Sequence, residues 1–407
     1  MELVRIPLSL YIHIPFCVQK CLYCDFLSAS ASDDKKECYI DALLQEIDFW
    51  QKEISDKYEI RTIFVGGGTP TCLNPKQLLR IGKRLQKLFV DTESRPVEFT
   101  IEANPGTVTE AHIQVMQEIG INRVSLGLQS AQNNEIKALG RIHTYEEFVE
   151  SYELLRRNGF NNINIDLMED IPEQTLESYK NTLERVLELE PEHISSYSLI
   201  IEEGTPFYQM EEEGRLLIPD EETDRKMYEL TQNMLAEKGY SRYEISNYAK
   251  AGKECKHNLT YWSMEEYLGL GLGASSYFDG YRFSNTGSMR DYLKIFDNTD
   301  NSNNIPFAIK QEWRQDENSS RLKSCYKLSK NEEMEEFVFL GLRTMKGISI
   351  TEYNSRFGVD FRELYQEILL DLFQKNLLAE SENRDRIYLT EKGIDVSNMV
   401  LAEFLLE

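Results

Sequence analysis

The stretch Tyr11–Cys24, YIHIPFCVQKCLYC, decides the fold. It begins as an apolar, β-branched run that predicts a strand, and it ends in three cysteines with the spacing C-x3-C-x2-C. Cys17, Cys21 and Cys24 therefore lie on a loop that follows the first strand. Thiolates are soft ligands that suit an iron–sulfur cluster or zinc. Three cysteines leave one iron of a [4Fe–4S] cluster open to a small molecule, whereas a structural zinc site needs a fourth ligand, for which His13 is the candidate.

Outward from this stretch, the first 200 residues alternate strand patterns with amphipathic helix patterns. Strands are predicted over Ser9–Ile14, Arg61–Val65, Glu98–Glu102, Arg123–Leu128, Asn162–Leu167 and His193–Ile200. Helices are predicted over Tyr39–Glu53, Pro75–Phe89, Thr109–Ile119, Tyr145–Asn158 and Leu176–Leu189. Six β–α units with right-handed crossovers form a parallel sheet, and six are too few to close an eight-stranded barrel. The sequence therefore predicts an α/β fold, a partial (β/α)6 barrel over residues 1–205, with its functional residues at the C-terminal ends of the strands.

Two further regions follow the barrel. Residues 206–330 are predicted to extend it, with an aromatic and glycine-rich part over 240–287 and a polar surface loop over 297–325. Residues 331–407 are predicted to form a winged-helix-like α+β domain. Its elements are helices Glu332–Met345, Ile350–Phe357 and Phe361–Lys375 and a hairpin over Leu377–Thr390. Acidic residues outnumber basic ones about two to one in this domain, which favours a structural or partner-docking role over DNA binding.

The charge of the whole chain argues against several classes of partner. Its 407 residues include 69 Asp and Glu against 45 Lys and Arg, a net charge of −24. Such a surface repels nucleic acids and anionic lipids, so we expect no nucleic-acid partner and membrane contact at most through an acceptor protein. The sequence shows no signal-peptide pattern and no apolar run of about 18 residues, and four of its seven cysteines are scattered. It therefore predicts a cytoplasmic protein without a disulfide framework.

Five further motifs follow the cysteines along the chain. They are GGGTPT (Gly66–Thr71), IEANP (Ile101–Pro105), SLGLQS (Ser125–Ser130), RIH (Arg141–His143) and INIDLM (Ile163–Met168). Together with the cysteine loop they resemble the radical S-adenosylmethionine (SAM) family, and more narrowly the branch that contains oxygen-independent coproporphyrinogen III dehydrogenase and a heme chaperone. The resemblance covers nearly the whole chain and implies a [4Fe–4S] cluster on the three cysteines and a bound SAM. The residues implied to contact SAM are Tyr11, Tyr23, Gly67, Gly68, Thr69, Glu102, Gln129, Arg141 and Asp166.

Two departures separate the chain from the dehydrogenase. The dehydrogenase has another cysteine two positions after the third, where this chain has Phe26, and a longer segment ahead of the cluster, where this chain has 16 residues. Both departures match the heme chaperone, as does the run HNLTYW (His257–Trp262). The resemblance thus implies a protein that binds heme as cargo and transfers it to acceptor hemoproteins. It also implies an electron donor for the cluster and no dehydrogenase activity on coproporphyrinogen III.

The HNLTYW run supplies the candidates for heme contact. Imidazole is an axial ligand of heme iron, and aromatic rings offer flat faces to a porphyrin. We therefore expect contacts from His257, Asn258, Tyr261 and Trp262; the alternative for His257 is a packed, hydrogen-bonded core histidine. Two other functions stay open at this point: a radical SAM oxidoreductase acting on coproporphyrinogen III or another substrate, and a zinc-stabilised winged-helix regulator.

Overall fold

Six parallel strands from the first half of the chain lie side by side at the centre of one sheet. The structure is a computed structural model that describes residues 5–54, 57–89, 98–295 and 322–406. The six strands are β1 (Ile6–Ile14), β2 (Tyr58–Gly67), β3 (Glu98–Ala103), β4 (Arg123–Gln129), β5 (Ile163–Glu169) and β6 (His193–Ser198). They pair in chain order and every pair is parallel. Most of their side chains are buried, as is typical of parallel strands covered on both faces.

Helices follow these strands and share one apolar core with them. They are α1 (Asp33–Ile54), α2 (Pro75–Leu85), α3 (Glu110–Ile119), α4 (Asn133–Ala138), α5 (Tyr145–Arg157) and α6 (Leu176–Glu188), with single 3₁₀ turns at Pro70–Cys72 and Gln86–Leu88. Local chemistry sets their ends: Thr144 and Glu147 form a capping box at the start of α5. Gly120 ends α3 in the left-handed region, with a φ of 92°. These elements confirm the predicted partial (β/α)6 barrel.

The sheet continues at both edges with strands from residues 206–330. The elements of this region are α7 (Pro206–Glu212), α8 (Glu221–Glu237), β7 (Ser241–Arg242), β8 (Asn247–Ala249), α9 (Lys256–Trp262), β9 (Tyr267–Leu270), β10 (Ser275–Phe278), β11 (Tyr281–Asn285), α10 (Met289–Ile295) and β12 (Leu322–Lys327). Strand β9 is parallel to β1 and leads to antiparallel β10, β11 and β12, while β8 and β7 extend the sheet beyond β6. The polar loop predicted over 297–325 falls largely outside the described residues. Its last four positions form the start of β12 instead, because they pair with β11.

The C-terminal residues form helices and a small three-stranded sheet around a separate apolar core. The elements are α11 (Lys330–Gly341), β13 (Ile348–Ser349), α12 (Ile350–Phe357), α13 (Phe361–Leu364), α14 (Gln366–Gln374), β14 (Leu378–Glu380), β15 (Arg386–Leu389), α15 (Glu391–Asp395) and α16 (Ser397–Ala402). The predicted helix Phe361–Lys375 is divided at Tyr365, whose φ of −106° and ψ of 23° leave the helical region. Strand β13 adds a third strand to the predicted hairpin. The winged-helix-like α+β arrangement is confirmed, while the boundaries 1–205, 206–330 and 331–407 stay a prediction.

Candidate functional site

The interior of the barrel contains a cavity of about 440 Å³ that opens beside the cysteine loop. Every residue predicted to hold the cluster or SAM lies on its wall. These residues are Tyr11, Cys17, Cys21, Tyr23, Cys24, Gly67, Gly68, Thr69, Glu102, Gln129, Arg141 and Asp166. Most of them follow the C-terminal ends of β1 to β4 or lie near those ends, where functional residues of such barrels gather. Of the heme candidates, His257, Asn258 and Tyr261 also line the cavity and Trp262 does not.

Backbone hydrogen bonds hold the cysteine loop at three places. Cys17 N donates to Ala29 O over 3.1 Å, which closes the base of the loop. Leu22 N donates to Leu139 O over 3.0 Å, and Phe207 N donates to Leu22 O over 3.1 Å. The loop is therefore fixed by the segments after β4 and β6 as well as by its own base, so its three cysteines face one cavity.

The donor set of this loop suits an iron–sulfur cluster. Burial raises the pKa of the Cys21 and Cys24 thiols, so metal binding, which needs thiolates, would release protons. Within the described ranges, no group of three or more His, Cys, Asp or Glu side chains is placed to hold a single metal ion. A [4Fe–4S] cluster instead takes each thiolate on a separate iron atom. Three soft donors on one loop at a cavity mouth fit that requirement.

Glycines bring the end of β2 against the cysteine loop. Gly67 has a φ of 109°, and a Cβ there would lie 2.4 Å from the His13 ring. A Cβ on Gly68 would lie 2.5 Å from Phe16 O and 3.0 Å from Cys17 Sγ. Only glycine allows this approach, which leaves backbone next to the cavity where a side chain would otherwise stand. This geometry fits the contact with SAM that the resemblance implies for Gly67 and Gly68.

Two largely buried carboxyl groups face the cavity without a cationic partner in hydrogen-bond contact. Glu102 Oε2 accepts a hydrogen bond from Gly67 N over 3.0 Å. Burial, reinforced by the charge of Asp166, raises the pKa of Glu102 to about 8. Burial also raises the pKa of Asp166, although Ser125 Oγ and Asn164 Nδ2 donate to it over 3.1 and 2.7 Å. A cationic group between the two would stabilise their ionised forms, and SAM carries such a group in its sulfonium.

Arg141 is held by protein acceptors at the cavity wall. One of its Nη atoms donates to Asn104 Oδ1 over 2.6 Å and to Gly127 O over 2.9 Å, and the other donates to Tyr23 OH over 3.2 Å. Asn104 in turn donates to Thr69 Oγ1 over 2.6 Å. The contact of Arg141 with SAM that the resemblance implies would therefore compete with bonds that join β2, β3 and the cysteine loop. Asn104 was not predicted as a site residue, although it belongs to the IEANP motif.

Two other polar groups in the cavity have no hydrogen-bond partner among the described residues. Gln129 ends β4 with a φ of 67°, and its Oε1 is buried without a hydrogen bond. An acceptor held in this uncommon backbone conformation is available to a ligand in the cavity. Arg123, at the opposite end of β4, is 2% exposed and its Nε has no partner. Sequence reasoning missed Arg123; the only signal was a charged residue at the start of an otherwise buried strand.

Helix α9, which carries HNLTYW, closes the cavity at the N-terminal side of the strands. Glu98, the first residue of β3, accepts hydrogen bonds from the backbone N atoms of Lys256 and His257, both over 3.0 Å. His257 is 1% exposed and both its ring nitrogens have partners, Thr62 Oγ1 and Tyr261 OH, each at 2.8 Å. Burial, with the charge of Arg123, lowers the pKa of His257 to about 3. This is the packed, hydrogen-bonded histidine that the sequence left as the alternative.

We expect His257→Ala to lower the free energy of unfolding by about 2–4 kcal/mol, because it opens a void and removes the hydrogen bonds of the imidazole to Thr62 and Tyr261. Urea unfolding of the heme-free protein measures this loss. Asn258→Ala is the control on the same helix, because the Asn258 side chain forms no hydrogen bond with the described part of the chain, and we expect its effect to stay below about 1 kcal/mol. Equal stability of His257→Ala and the parent would contradict the packing role.

Comparison with known proteins identifies the family of this chain. Residues 11–186 match the radical SAM superfamily and residues 328–396 match the HemN C-terminal domain. The chain is 38% identical to the heme chaperone HemW of Lactococcus lactis, over 98% of both chains, and 36% identical to that of Bacillus subtilis, over 98% of this chain and 99% of the other. The coproporphyrinogen III oxidase HemN of Escherichia coli, a radical SAM enzyme, has the same fold, with a TM-score of 0.81 at 23% identity over 98% of this chain and 90% of that one. The chain therefore belongs to the HemW family of the radical SAM superfamily.

Proposed function

We propose that this protein is a heme chaperone that binds heme and transfers it to acceptor hemoproteins. The observation that carries the proposal is full-length similarity to proteins named heme chaperone HemW. Phe26 agrees with it. The dehydrogenase has an additional cysteine at this position, whereas this chain has a phenylalanine there that is 62% exposed. We further propose that the cluster receives electrons from a separate donor and that the protein is located in the cytoplasm. No helix in the described ranges is long and apolar enough to cross a membrane.

The cluster and SAM belong to this proposal as resident cofactors, as membership of the superfamily implies. Cys17, Cys21 and Cys24 would hold the cluster, and together the two cofactors supply one-electron chemistry when bound. The residues of the chain hold and shield them: the glycine turn lets SAM approach the backbone, and Glu102 and Asp166 offset a positive charge. The remaining wall residues proposed to contact SAM are Tyr11, Tyr23, Thr69, Gln129 and Arg141.

Anaerobic heme titration of the cluster-loaded protein tests the function. We expect about one heme per chain, the stoichiometry of a single porphyrin pocket. The loaded protein should restore a heme-depleted cytochrome faster than an equal concentration of free heme does. With SAM and a reductant present, it should not convert coproporphyrinogen III. Efficient turnover of that substrate would instead favour the runner-up, a radical SAM oxidoreductase, and stoichiometric zinc without sulfide would favour the zinc-stabilised regulator.

A further inference from the structure

The barrel cavity is a poor place for heme. Its lining includes buried polar groups such as Arg123, Asn164 and Asn247, and its upper wall carries the residues proposed for SAM. His257, the expected iron ligand there, uses both ring nitrogens in hydrogen bonds and is almost fully buried. A porphyrin prefers apolar walls with a few well-placed polar groups. If the chain carries heme as proposed, another site has to accept it.

A second cavity, of about 490 Å³, lies against the other side of the cysteine loop. The loop contributes Pro15, Phe16 and Leu27 to Ala31, the start of α1 contributes Asp34, Lys35 and Cys38, and α10 contributes Met289 and Leu293, with Leu272 and Gly287 completing the wall. Most of this wall is apolar. Leu27 is 41% exposed, so part of it meets solvent when the cavity is empty. We call this the outer cavity; its size falls in the range of cofactor sites.

The wall of the outer cavity contains two sulfur atoms that suit heme iron. Cys38 is exposed on α1 and Met289 is half-buried at the start of α10. Thiolate and thioether sulfurs are both axial ligands in hemoproteins. Cys38 is also one of the four scattered cysteines, which are not among the proposed ligands of the cluster. The cavity therefore combines apolar walls with soft donors, which the barrel floor lacks.

Lys35 gives the outer cavity a basic edge in a strongly acidic chain, and two further basic residues lie next in sequence to its lining residues. Lys35 lines it, and Arg290 and Lys294 lie on α10 next to the lining residues Met289 and Leu293. Lys35 and Arg290 form no ion pair among the described residues, whereas Lys294 Nζ is 4.0 Å from an oxygen of Asp291. Asp34 is the acidic residue on the wall itself. The two propionates of heme complement this edge in charge.

We propose that the outer cavity is the heme site, with the macrocycle against the apolar wall and the propionates at the basic edge. This proposal rests on the proposed heme chaperone function. It assigns the HNLTYW helix to closing the barrel and assigns heme to a surface-facing pocket, from which cargo can leave without disturbing the barrel interior.

A cavity-filling variant tests the proposal. A Cβ on Gly287 would lie 3.8 Å from Leu27 Cδ2, an ordinary contact, and its φ is not in the left-handed region, so Gly287→Phe fits the backbone and places a ring in the cavity. We expect heme to bind at least about tenfold more weakly, a loss of about 1.4 kcal/mol or more. Ser324→Phe, at an exposed position on β12, adds the same ring elsewhere and should leave the affinity unchanged.

Ligand and charge variants give independent readouts. Cys38→Ser and Met289→Leu are compared with Cys325→Ser, at another exposed cysteine, and we expect one or both of the first two to shift the Soret band of bound heme. Lys35→Glu should weaken heme binding more than Lys76→Glu, because both are exposed lysines in the first turn of a helix and only Lys35 lines the cavity.

The outcomes separate this proposal from the function on which it rests. Heme binding by the parent protein that Gly287→Phe and Lys35→Glu leave unchanged would overturn the outer cavity as the site and keep the chaperone function. A Soret shift in His257→Ala, with none in Cys38→Ser or Met289→Leu, would place heme in the barrel. No heme binding by the parent would remove the chaperone function itself.

Discussion

Joint replacement of Cys17, Cys21 and Cys24 by alanine is expected to reduce cluster iron and sulfide from about four of each per chain to none. The three thiols are the cysteines on the cavity wall, and the backbone bonds of Cys17 and Leu22 hold their loop in place. Iron and acid-labile sulfide are measured after anaerobic reconstitution. Because the loop is tied by backbone atoms, the variant should stay folded, with an unchanged far-UV circular dichroism spectrum.

The matched control for the cluster is a double Cys38→Ser, Cys325→Ser variant. Both thiols are exposed and neither lines the barrel cavity, so iron and sulfide should remain at the parent level. A cluster that survives the triple replacement, or one lost in the double control, would show that the ligands lie elsewhere.

The second large effect is expected from Glu102→Gln, which should weaken SAM binding about 10- to 100-fold. The substitution keeps an acceptor for Gly67 N and removes only the negative charge, worth about 1.5–3 kcal/mol when hydrogen-bonded in a buried site. SAM titration of the reduced cluster, followed by electron paramagnetic resonance, measures the affinity. Glu169→Gln is the control: Glu169 is a buried carboxyl group on β5 with a raised pKa and does not line the cavity.

The pH dependence of SAM binding checks the same group. The pKa of Glu102 is raised to about 8 in the ligand-free cavity, so the carboxyl group is mostly protonated at neutral pH. A cation favours the ionised form, so SAM binding should release a proton. Affinity should therefore rise by up to about tenfold per pH unit below pH 8 and level off above it. Glu102→Gln should abolish this rise; a parent profile without it would contradict a cationic contact at Glu102.

The central strands and helices could be predicted because each has a strong local signal. Buried parallel strands are apolar runs, and helix ends such as Thr144 and Gly120 carry capping residues. The edge strands β7 to β12 were not predicted, because strands of two to six residues are too short to show a clear alternation of buried and exposed side chains.

The residues of the candidate site could be predicted only where they belong to a recognisable motif. The cysteines follow from their spacing and the glycines from the family resemblance, and the structure brings them together. Asn104 and Arg123 have no diagnostic spacing. The structure identifies Asn104 by its hydrogen bonds, and Arg123 by its buried Nε, which is unpaired among the described residues. The outer cavity joins Phe16, Lys35 and Met289, residues from three separate regions of the chain, so no local pattern could reveal it.

The cysteine loop belongs to both cavities: Cys17, Cys21 and Cys24 line the barrel cavity, and residues 27–31 line the outer cavity. Coupling between two sites is reciprocal by thermodynamic necessity. By whatever factor an assembled cluster changes the affinity of the outer cavity for its ligand, that ligand changes the retention of the cluster by the same factor. Where that factor differs from one, loss of the cluster to oxygen would change the affinity for the cargo through this single stretch of backbone.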